Sequence, residues 1–510
     1  MYTTIALQEQ ETKSKLNYFD DIVILCLTII YCFLFYEQDY GINYLIFSLI
    51  VLGFFIFRDR SLLNNKKFIA ISIGTIITGC ATFYFGSWYH VFMNKISLLL
   101  LIGLVASIKS SLIIILLNSV YSYIVLPFKM FINIVTFQFL SLSGYGKIMK
   151  YILLTIFPLV IAAIFFGIYS FSNPILAEFV SKFNWNFVSV FLLIFLCYSF
   201  LISYGLMKPS TIEKLKGYDA ATSDNLTIPE NENGKSILSF LSIHSEIYIA
   251  VAVFVLLNLV IGLNNGIDIY YLFIEKTLPK GLSHTNFLHQ SVNSLILSIF
   301  LAIALIMYFF SSKLNFVKSA NYIKMIAYVW IIQNLVLAIL CLYKNYQYID
   351  QFGLTYKRLG VYTFLFLAAL GLFLTFYKIL KNKTNLFLIR KNTWIAYIVL
   401  VFLGCFDWDY IITYNNLKSD KDSHIDYAYL TSLDHTGLPL LQKHLFKDKT
   451  DFKNYIDSAN AIRLNNNDYN FRCSPKELFL NRTERFDREM WERVWQSYCV
   501  SKENIESKLY

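Results

Sequence analysis

The chain has 510 residues, of which 56% are hydrophobic and only 15% are charged, and its mean hydropathy is +0.52. Soluble proteins carry about 25% charged residues, so this composition excludes a string of soluble domains and predicts an integral membrane protein. The formal net charge is +10. Because the basic residues lie in short segments between apolar runs, we expect them to meet anionic lipid headgroups rather than nucleic acid.

The apolar runs predict an all-α integral membrane protein of about eleven transmembrane helices, each needing about 20 apolar residues, with a small, mostly helical C-terminal extramembrane domain. The candidate spans are Asp21–Tyr36, Ile42–Phe57, Phe68–Phe85, Ile96–Val125, Tyr151–Phe171, Phe187–Leu206, Ile247–Leu263, Val292–Ser311, Met325–Tyr343, Leu359–Tyr377 and Trp394–Ile412. The fourth run is too long for one span. Splitting it would invert the charge pattern of every later loop, so one crossing is predicted there.

Positive charge alternates between the segments that join these spans. Lysine and arginine are concentrated after the even-numbered spans and are sparse after the odd-numbered ones. The segment after the second span, for example, holds Arg58, Arg60, Lys66 and Lys67, whereas the segment after the first span has no basic residue. The positive-inside rule then predicts an inner-membrane protein with a cytoplasmic N-terminus and an extracytoplasmic C-terminal tail.

Four parts follow from this pattern. They are a first group of six helices (1–206), a cytoplasmic polar loop (207–246), a second group of five helices (247–412) and an extracytoplasmic soluble tail (413–510). In the tail, Ser474 and Glu477 form a capping box around Pro475, which predicts a helix start. Cys473 and Cys499 are a candidate disulfide if the tail meets an oxidising compartment. A helix running on to Tyr498 would hold the thiols about 36 Å apart, so that bond requires the chain to reverse between them.

A set of polar side chains gathers at the predicted outer ends of the spans. Its members are His90, Asn265, Asp268, His284, His289, Asp350, Lys357 and Arg358. Histidines and carboxylates on one membrane face suit a divalent cation or a polar substrate. However, His284 and His289 lack the spacing of three or four that aligns ligands on a helix, and solvated loop ends explain the same residues. We therefore predict no catalytic residue, metal or cofactor.

Three functions remain open from the sequence. The first is envelope sensing, regulation or scaffolding without catalysis, with the lipid bilayer and, through the tail, other envelope proteins as partners. The second is a transporter or lipid-handling protein, which a polar cavity lined by Asn258, Gln333 or Asn334 would favour. The third is a glycosyltransferase that uses a lipid-linked donor and the acids Glu37 and Asp39, although the loop that carries them is very short.

One family resemblance is carried by the stretches FLHQSVNSLILSI, AYVWIIQNLVLAI and YIDQFGLTYKRLGVY. They resemble a bacterial multi-pass family catalogued as a domain of unknown function, number forty-one seventy-three, which is related to number forty-one fifty-three. The resemblance extends from Ile247 to Leu441, and the piece from Gly353 to Val361 is its most specific part. It implies a membrane protein and no particular activity. We expect that piece to join the ninth and tenth spans to the tail.

Overall fold

The computed structural model of the chain describes residues 22–135, 190–226, 243–275, 284–310, 313–316, 320–418, 425–465 and 474–509, together with residue 20 and several residues between 158 and 178. Helices dominate these residues, and an isolated β-bridge joins Asn225 to Lys383. The prediction of an all-α fold is therefore confirmed for the described part of the chain.

The helices fall into three sets along the chain. The first set is α1 (Ile22–Phe35), α2 (Ile42–Arg58), α3 (Lys66–Phe85), α4 (Trp88–Ala106), α5 (Leu112–Val135), α6 (Val190–Met207) and α7 (Glu213–Ala221). The second set is α8 (Ile243–Ile269), α9 (His284–Phe309), α10 (Ala320–Phe352), α11 (Tyr356–Leu380) and α12 (Asn385–Leu403). The third set is α13 (Trp408–Lys418), α14 (Tyr427–Ser432), α15 (Leu438–Leu445), α16 (Lys449–Asn465), α17 (Pro475–Trp491) and α18 (Val500–Leu509).

Among the described residues, 7 helical segments are long and apolar enough to cross a membrane. They are Lys66–Phe85, Trp88–Ala106, Leu112–Lys129, Ser245–Glu275, Asn321–Phe352, Tyr356–Leu380 and Asn385–Leu403. Shorter apolar helices cover Ile22–Phe35, Ile42–Arg58, Phe191–Met207 and Ile296–Phe309. This set is typical of a membrane protein. The count of eleven stays a prediction, because Tyr151–Phe171 lies partly outside the described residues. The extramembrane position of the tail also stays a prediction.

The prediction of one continuous span over Ile96–Val125 is wrong. Helix α4 ends at Ala106, and α5 begins at Leu112 and packs back against α4, where Ser119 Oγ donates to the carbonyl of Leu99 at 2.6 Å. In the turn between them, the carbonyl of Ser110 accepts from Lys67 Nζ at 2.7 Å. A side chain of α3 thus satisfies backbone that the break exposes.

The packing of α1 against α6 fixes the direction of α6. The ring of Tyr36, at the end of α1, contacts Phe195 near the start of α6, with 5.5 Å between centroids. At the other end of the pair, Ile24 shares a hydrophobic cluster with Met207. The two helices are therefore antiparallel, and α6 ends on the side where α1 begins. The predicted orientation requires this direction for α6.

The chain packs into two compact units. Unit 1 comprises Met1–Gly217 with Arg493–Val500, and unit 2 comprises Tyr218–Glu492 with Ser501–Tyr510. In unit 2, one core lies among α8 to α11 around Phe254 and Trp330. A second core packs the short helices of the tail against Leu354 of the predicted loop. The tail thus shares a core with the segment that joins two apolar helices.

Part of the predicted polar loop (207–246) is an ordered element of unit 2. Helix α7 ends in this unit, and Arg390 of α12 donates to the carboxylate of Asp219 at 2.9 Å and also pairs with Asp224. The Asp219 side chain is 2% exposed. A buried carboxylate needs such a partner, so Arg390 fixes this stretch against α12.

Candidate functional site

Two apolar helices of unit 2, α8 and α10, carry a line of polar side chains between them. Asn258 Nδ2 donates to the carbonyl of Ile326 at 3.2 Å. Two turns further along α8, Asn265 Nδ2 donates to the carbonyl of Gln333 at 2.9 Å. Residue numbers rise together in the two contacts, so the helices run parallel. We call this line the polar seam; its members are Asn258, Asn265, Asp268, Gln333, Asn334 and Lys344.

A buried ion pair closes one end of the polar seam. Lys344 Nζ lies 2.8 Å from Asp268 Oδ2, and their side chains are only 3% and 9% exposed. An unpaired charge at such a position would cost several kcal/mol. Each group therefore compensates the desolvation of the other. The sequence pattern had predicted Asp268 as an outer-face residue, but it had placed Lys344 in a loop, because the apolar run ends at Tyr343.

In the polar seam, asparagine N–H groups donate hydrogen bonds, whereas several amide oxygens accept none from the described residues. The Nδ2 groups of Asn258 and Asn334 donate to carbonyls of their own helices, Phe254 and Trp330, at 2.7 and 2.8 Å. By contrast, the buried amide oxygens lack a donor among the described residues. These oxygens belong to Asn258, Asn265, Gln333 and Asn334. A buried acceptor without a donor costs roughly 1–3 kcal/mol, so hydrogen-bond donors are what this seam is short of.

A groove of about 690 Å³ opens along the seam. It is lined by Asn258, Leu259, Gly262, Leu263, Gly266, Ile267, Tyr270, Tyr271 and Gln333. Its volume falls within the range of roughly 300–1,000 Å³ typical of small-molecule sites. At Gly266 this space is open, because a side-chain carbon there would meet no atom within 4 Å.

The apolar face around this groove is turned away from the protein core. Leu259, Leu263 and Ile267 are 60%, 69% and 58% exposed. Side chains of this kind belong in the hydrocarbon of a bilayer. A groove that combines them with Asn258 and Gln333 can hold a molecule with an apolar body and a polar head.

The other predicted outer-face residues lie elsewhere. His90 is buried in unit 1, where its Nδ1 lies 2.6 Å from Ser87 Oγ and its ring stacks on Phe85. The side chains of His284 and His289 lie outside the described residues. Among the residues that the structure describes, no group of three or more histidine, cysteine or acidic side chains could hold a metal ion.

Asp350 lies in the last turn of α10, and Lys357 and Arg358 lie in the first turn of α11, on either side of the segment 353–355 that joins the two helices. Arg358 Nη1 donates to the carbonyl of Phe352 at 2.7 Å, and its guanidinium lies over the ring of Tyr348. Asp350 and Arg358 line a small cavity of about 80 Å³, whereas Lys357 is exposed. This segment is therefore shaped by its own backbone contacts and carries a cavity far smaller than the groove.

The same segment meets the tail through backbone-like hydrogen bonds. The side chain of Asn416 bonds both the N–H and the carbonyl of Leu354, at 2.5 and 2.9 Å, and Tyr429 OH accepts from the N–H of Tyr356. Gly353 has φ +76°, and a side-chain carbon there would lie 2.7 Å from Asn416 Oδ1. Both the positive φ and the close approach of Asn416 require glycine at position 353.

Three carboxylates lie close together where the tail begins. Burial, followed by the negative charge of Asp434, raises the pKa of Asp409 to about 7, although a hydrogen bond from Tyr356 opposes the change. Burial also raises the pKa of Asp407, whose Oδ1 accepts from Thr436 at 2.8 Å. Asp434 is only partly buried, and hydrogen bonds and charge from His435 lower its pKa to about 2. Asp409 is thus the member that changes charge near neutral pH.

A serine, a histidine and an aspartate form a hydrogen-bonded chain beside these carboxylates. His435 Nδ1 lies 2.7 Å from Asp434 Oδ1, and His435 Nε2 lies 2.8 Å from Ser501 Oγ. This order of groups can activate a nucleophile. However, His435 is 0% exposed and Ser501 only 8%, so a substrate cannot reach the hydroxyl. We assign the chain a structural role, holding the start of α18 against the tail core.

Glu37, Asp39 and Cys499, which the sequence singled out, belong to unit 1 and not to the unit that holds these sites. Glu37 and Asp39 are exposed, and the N–H of Asp39 donates to Ser497 Oγ at 2.9 Å. Cys499 is buried, and its Sγ donates to the carbonyl of Tyr84 at 3.3 Å. Cys473 lies outside the described residues, so its bond to Cys499 stays a prediction.

Comparison with known protein families gives a match. A family described as "Domain of unknown function (DUF4153)" matches residues 70–444. This is the related family of the two expected from the resemblance, and the matched range covers the first helix group from α3 onward, the second helix group and the beginning of the tail. No curated protein and no solved structure matches the chain.

Proposed function

Since the chain belongs to the family of the domain of unknown function DUF4153, which brings no activity with it, we propose from the groove that this is a lipid-handling membrane protein. The observation that carries the proposal is an open groove on an apolar, outward-facing helix pair, lined by Asn258 and Gln333. The ligand is a membrane amphiphile whose polar head lies beside Asn258 and Gln333 and whose tail lies along Leu259 and Leu263.

The proposed setting is the bacterial inner membrane, with the N-terminus in the cytoplasm and the tail outside. The alternation of basic loops supports this orientation. In unit 1, segment 493–500 of the tail packs on the loop after α1 and the loop after α3, as shown by the contacts of Ser497 with Asp39 and of Cys499 with Tyr84. A tail that shares a face with these two loops supports an odd number of crossings. Other envelope proteins remain proposed partners of the tail.

A sensing or regulatory role is the second candidate, and the carboxylate cluster favours it. Asp409 has a pKa of about 7 and lies where the tail meets the segment between α10 and α11. A buried group that ionises near neutral pH can bias the contact between two such elements.

Filling the groove tests the lipid-handling proposal. In Gly266→Leu the new side chain enters open space in the groove, because no atom lies within 4 Å of its first carbon. We expect the amount of amphiphile that co-purifies with the protein to fall by about tenfold or more, equivalent to at least about 1.4 kcal/mol of binding free energy. The measurement is mass spectrometry of lipids extracted from protein that has been purified in mild detergent and exposed to total bacterial lipid.

Gly360→Leu is the matched control for this experiment. Gly360 lies on α11, away from the groove, and a side-chain carbon there also meets nothing within 4 Å. Both changes replace glycine with a good helix former in an apolar helix, so neither is expected to impair folding. Equal lipid retention by the two variants would refute the proposal, as would a wild-type protein that carries no defined lipid.

A further inference from the structure

A segment of the tail is built into unit 1, beside the ends of two apolar helices. The N–H of Ile42 donates to the carbonyl of Tyr498 at 2.9 Å, and Ser497 Oγ donates to Gln38 Oε1 at 3.1 Å. A side-chain carbon at Gly41 would lie 2.5 Å from the backbone of Ser497. Segment 493–500 therefore packs closely on the loop between α1 and α2.

A second loop of unit 1 holds the other end of this segment. Gly86, between α3 and α4, has φ +66°, and a side-chain carbon there would lie 2.7 Å from Cys499 Sγ. The ring of Tyr498 contacts Phe83 of α3, with 6.0 Å between centroids. Two loops at the same end of the helices thus fix the height of the segment along them.

The segment nonetheless leaves large apolar side chains uncovered. Trp495 is 54% exposed and Val494 is 47% exposed. Trp495 also contacts Phe33 in the last turn of α1, at 6.0 Å between ring centroids, and Phe33 is itself 59% exposed. An indole that leans on the outward face of an apolar helix end meets whatever surrounds that helix.

Other exposed aromatic side chains lie at this same end of unit 1. Trp88, at the start of α4, is 56% exposed, and Tyr84, near the end of α3, is 49% exposed. Tryptophan and tyrosine are enriched at this level of membrane helices because their rings combine an apolar body with a polar N–H or O–H. The tail contributes Trp495 to a belt that the spanning helices begin.

We propose that segment 493–500 is an interfacial anchor, whose partner is the phospholipid headgroup region on the side where α1 ends. Trp495 and Val494 enter the boundary between headgroups and acyl chains, and the hydrogen bonds to Gln38 and Ile42 hold the backbone at that depth. The anchor lies in unit 1 and is independent of the groove, which belongs to unit 2.

Quenching of tryptophan fluorescence tests this position. The full-length protein and its Trp495→Phe variant are reconstituted in phosphatidylcholine vesicles, with and without lipid brominated in the upper acyl chain, and the difference between the two proteins gives the emission of Trp495. We expect brominated lipid to quench this emission as strongly as that of Trp88, obtained in the same way from Trp88→Phe, and aqueous iodide to have little effect. Strong quenching by iodide without quenching by brominated lipid would overturn the proposal.

A wedge variant tests whether the loop contact sets the depth. Gly41→Leu forces the backbone of Ser497 away, so Trp495 is expected to lose its quenching by brominated lipid and become sensitive to iodide. Gly53→Leu, on α2, is the matched control because a side-chain carbon there meets nothing within 4 Å. If Trp495 in the wild type is protected from both quenchers, protein and not lipid covers it, and the assignment to a lipid partner fails.

Discussion

Replacing Lys344 with methionine is expected to lower the free energy of unfolding by about 3–5 kcal/mol, the usual cost of leaving one member of a buried ion pair alone. The ammonium of Lys344 lies 2.8 Å from Asp268, and both side chains are almost fully buried between α8 and α10. Methionine fills a similar volume but leaves the carboxylate without its counter-charge. Equilibrium unfolding in mixed detergent and dodecyl sulfate micelles measures the loss.

The double variant Asp268→Asn/Lys344→Met separates charge from packing. Because it removes both charges, most of the lost stability is expected to return. The exposed Lys357 supplies the control, since Lys357→Met should change stability by no more than about 0.5 kcal/mol. A double variant as unstable as the single one would show that the ion pair is not the reason for the loss.

Replacing Asp409 with asparagine is expected to remove a pH dependence from the stability of the protein. In an unfolded chain an aspartate titrates near 3.9, whereas burial and the charge of Asp434 raise the pKa of folded Asp409 to about 7. Between these values the folded state keeps a proton that the unfolded state has released. The free energy of unfolding therefore falls as the pH rises through this window, by up to about 4 kcal/mol.

Thermal unfolding at pH 5 and at about pH 8.5, above the pKa of 7, measures this effect. At pH 5 the protonated carboxyl and the amide are alike in charge, so Asp409→Asn should behave much like the wild type. At the higher pH the variant should be the more stable of the two. Asp457→Asn, which changes an exposed acid of α16, should retain the wild-type profile. A profile as steep in Asp409→Asn as in the wild type would exclude Asp409 as its source.

Local signals in the sequence predicted local structure well. Ser474 caps α17 by accepting from the N–H of Glu477 at 3.3 Å, and the helix begins at Pro475 as expected. Asn258 and Gln333 were named as the lining of a transport or lipid-handling cavity, and both line the groove. Such features depend on a few neighbouring residues or on the rarity of amides in apolar runs, so a single sequence reveals them.

Features that depend on distant residues were not predictable in the same way. Helix α10 continues to Phe352, past the end of its apolar run, and Lys344 in this extension pairs with Asp268 of another helix. The turn near Lys109 is stabilised by Lys67, far away in the chain. The charge pattern of later loops favoured one long span there. The structure divides this run between α4 and α5 instead, so the single long span was wrong, and the orientation inferred from loop charge stays a prediction.

The docking of segment 493–500 sets the order in which the parts of the chain can finish folding. Asp39 and Ser497, which meet in unit 1, are 458 positions apart in the chain. Forming such a contact requires closure of a very long loop, which slows folding. The first helices must therefore wait in the membrane, with the surfaces at Gly41 and Gly86 uncovered, until the ribosome has synthesised the chain beyond Glu492. A chain that stops before that point leaves unit 1 unfinished, although all of its apolar helices are present.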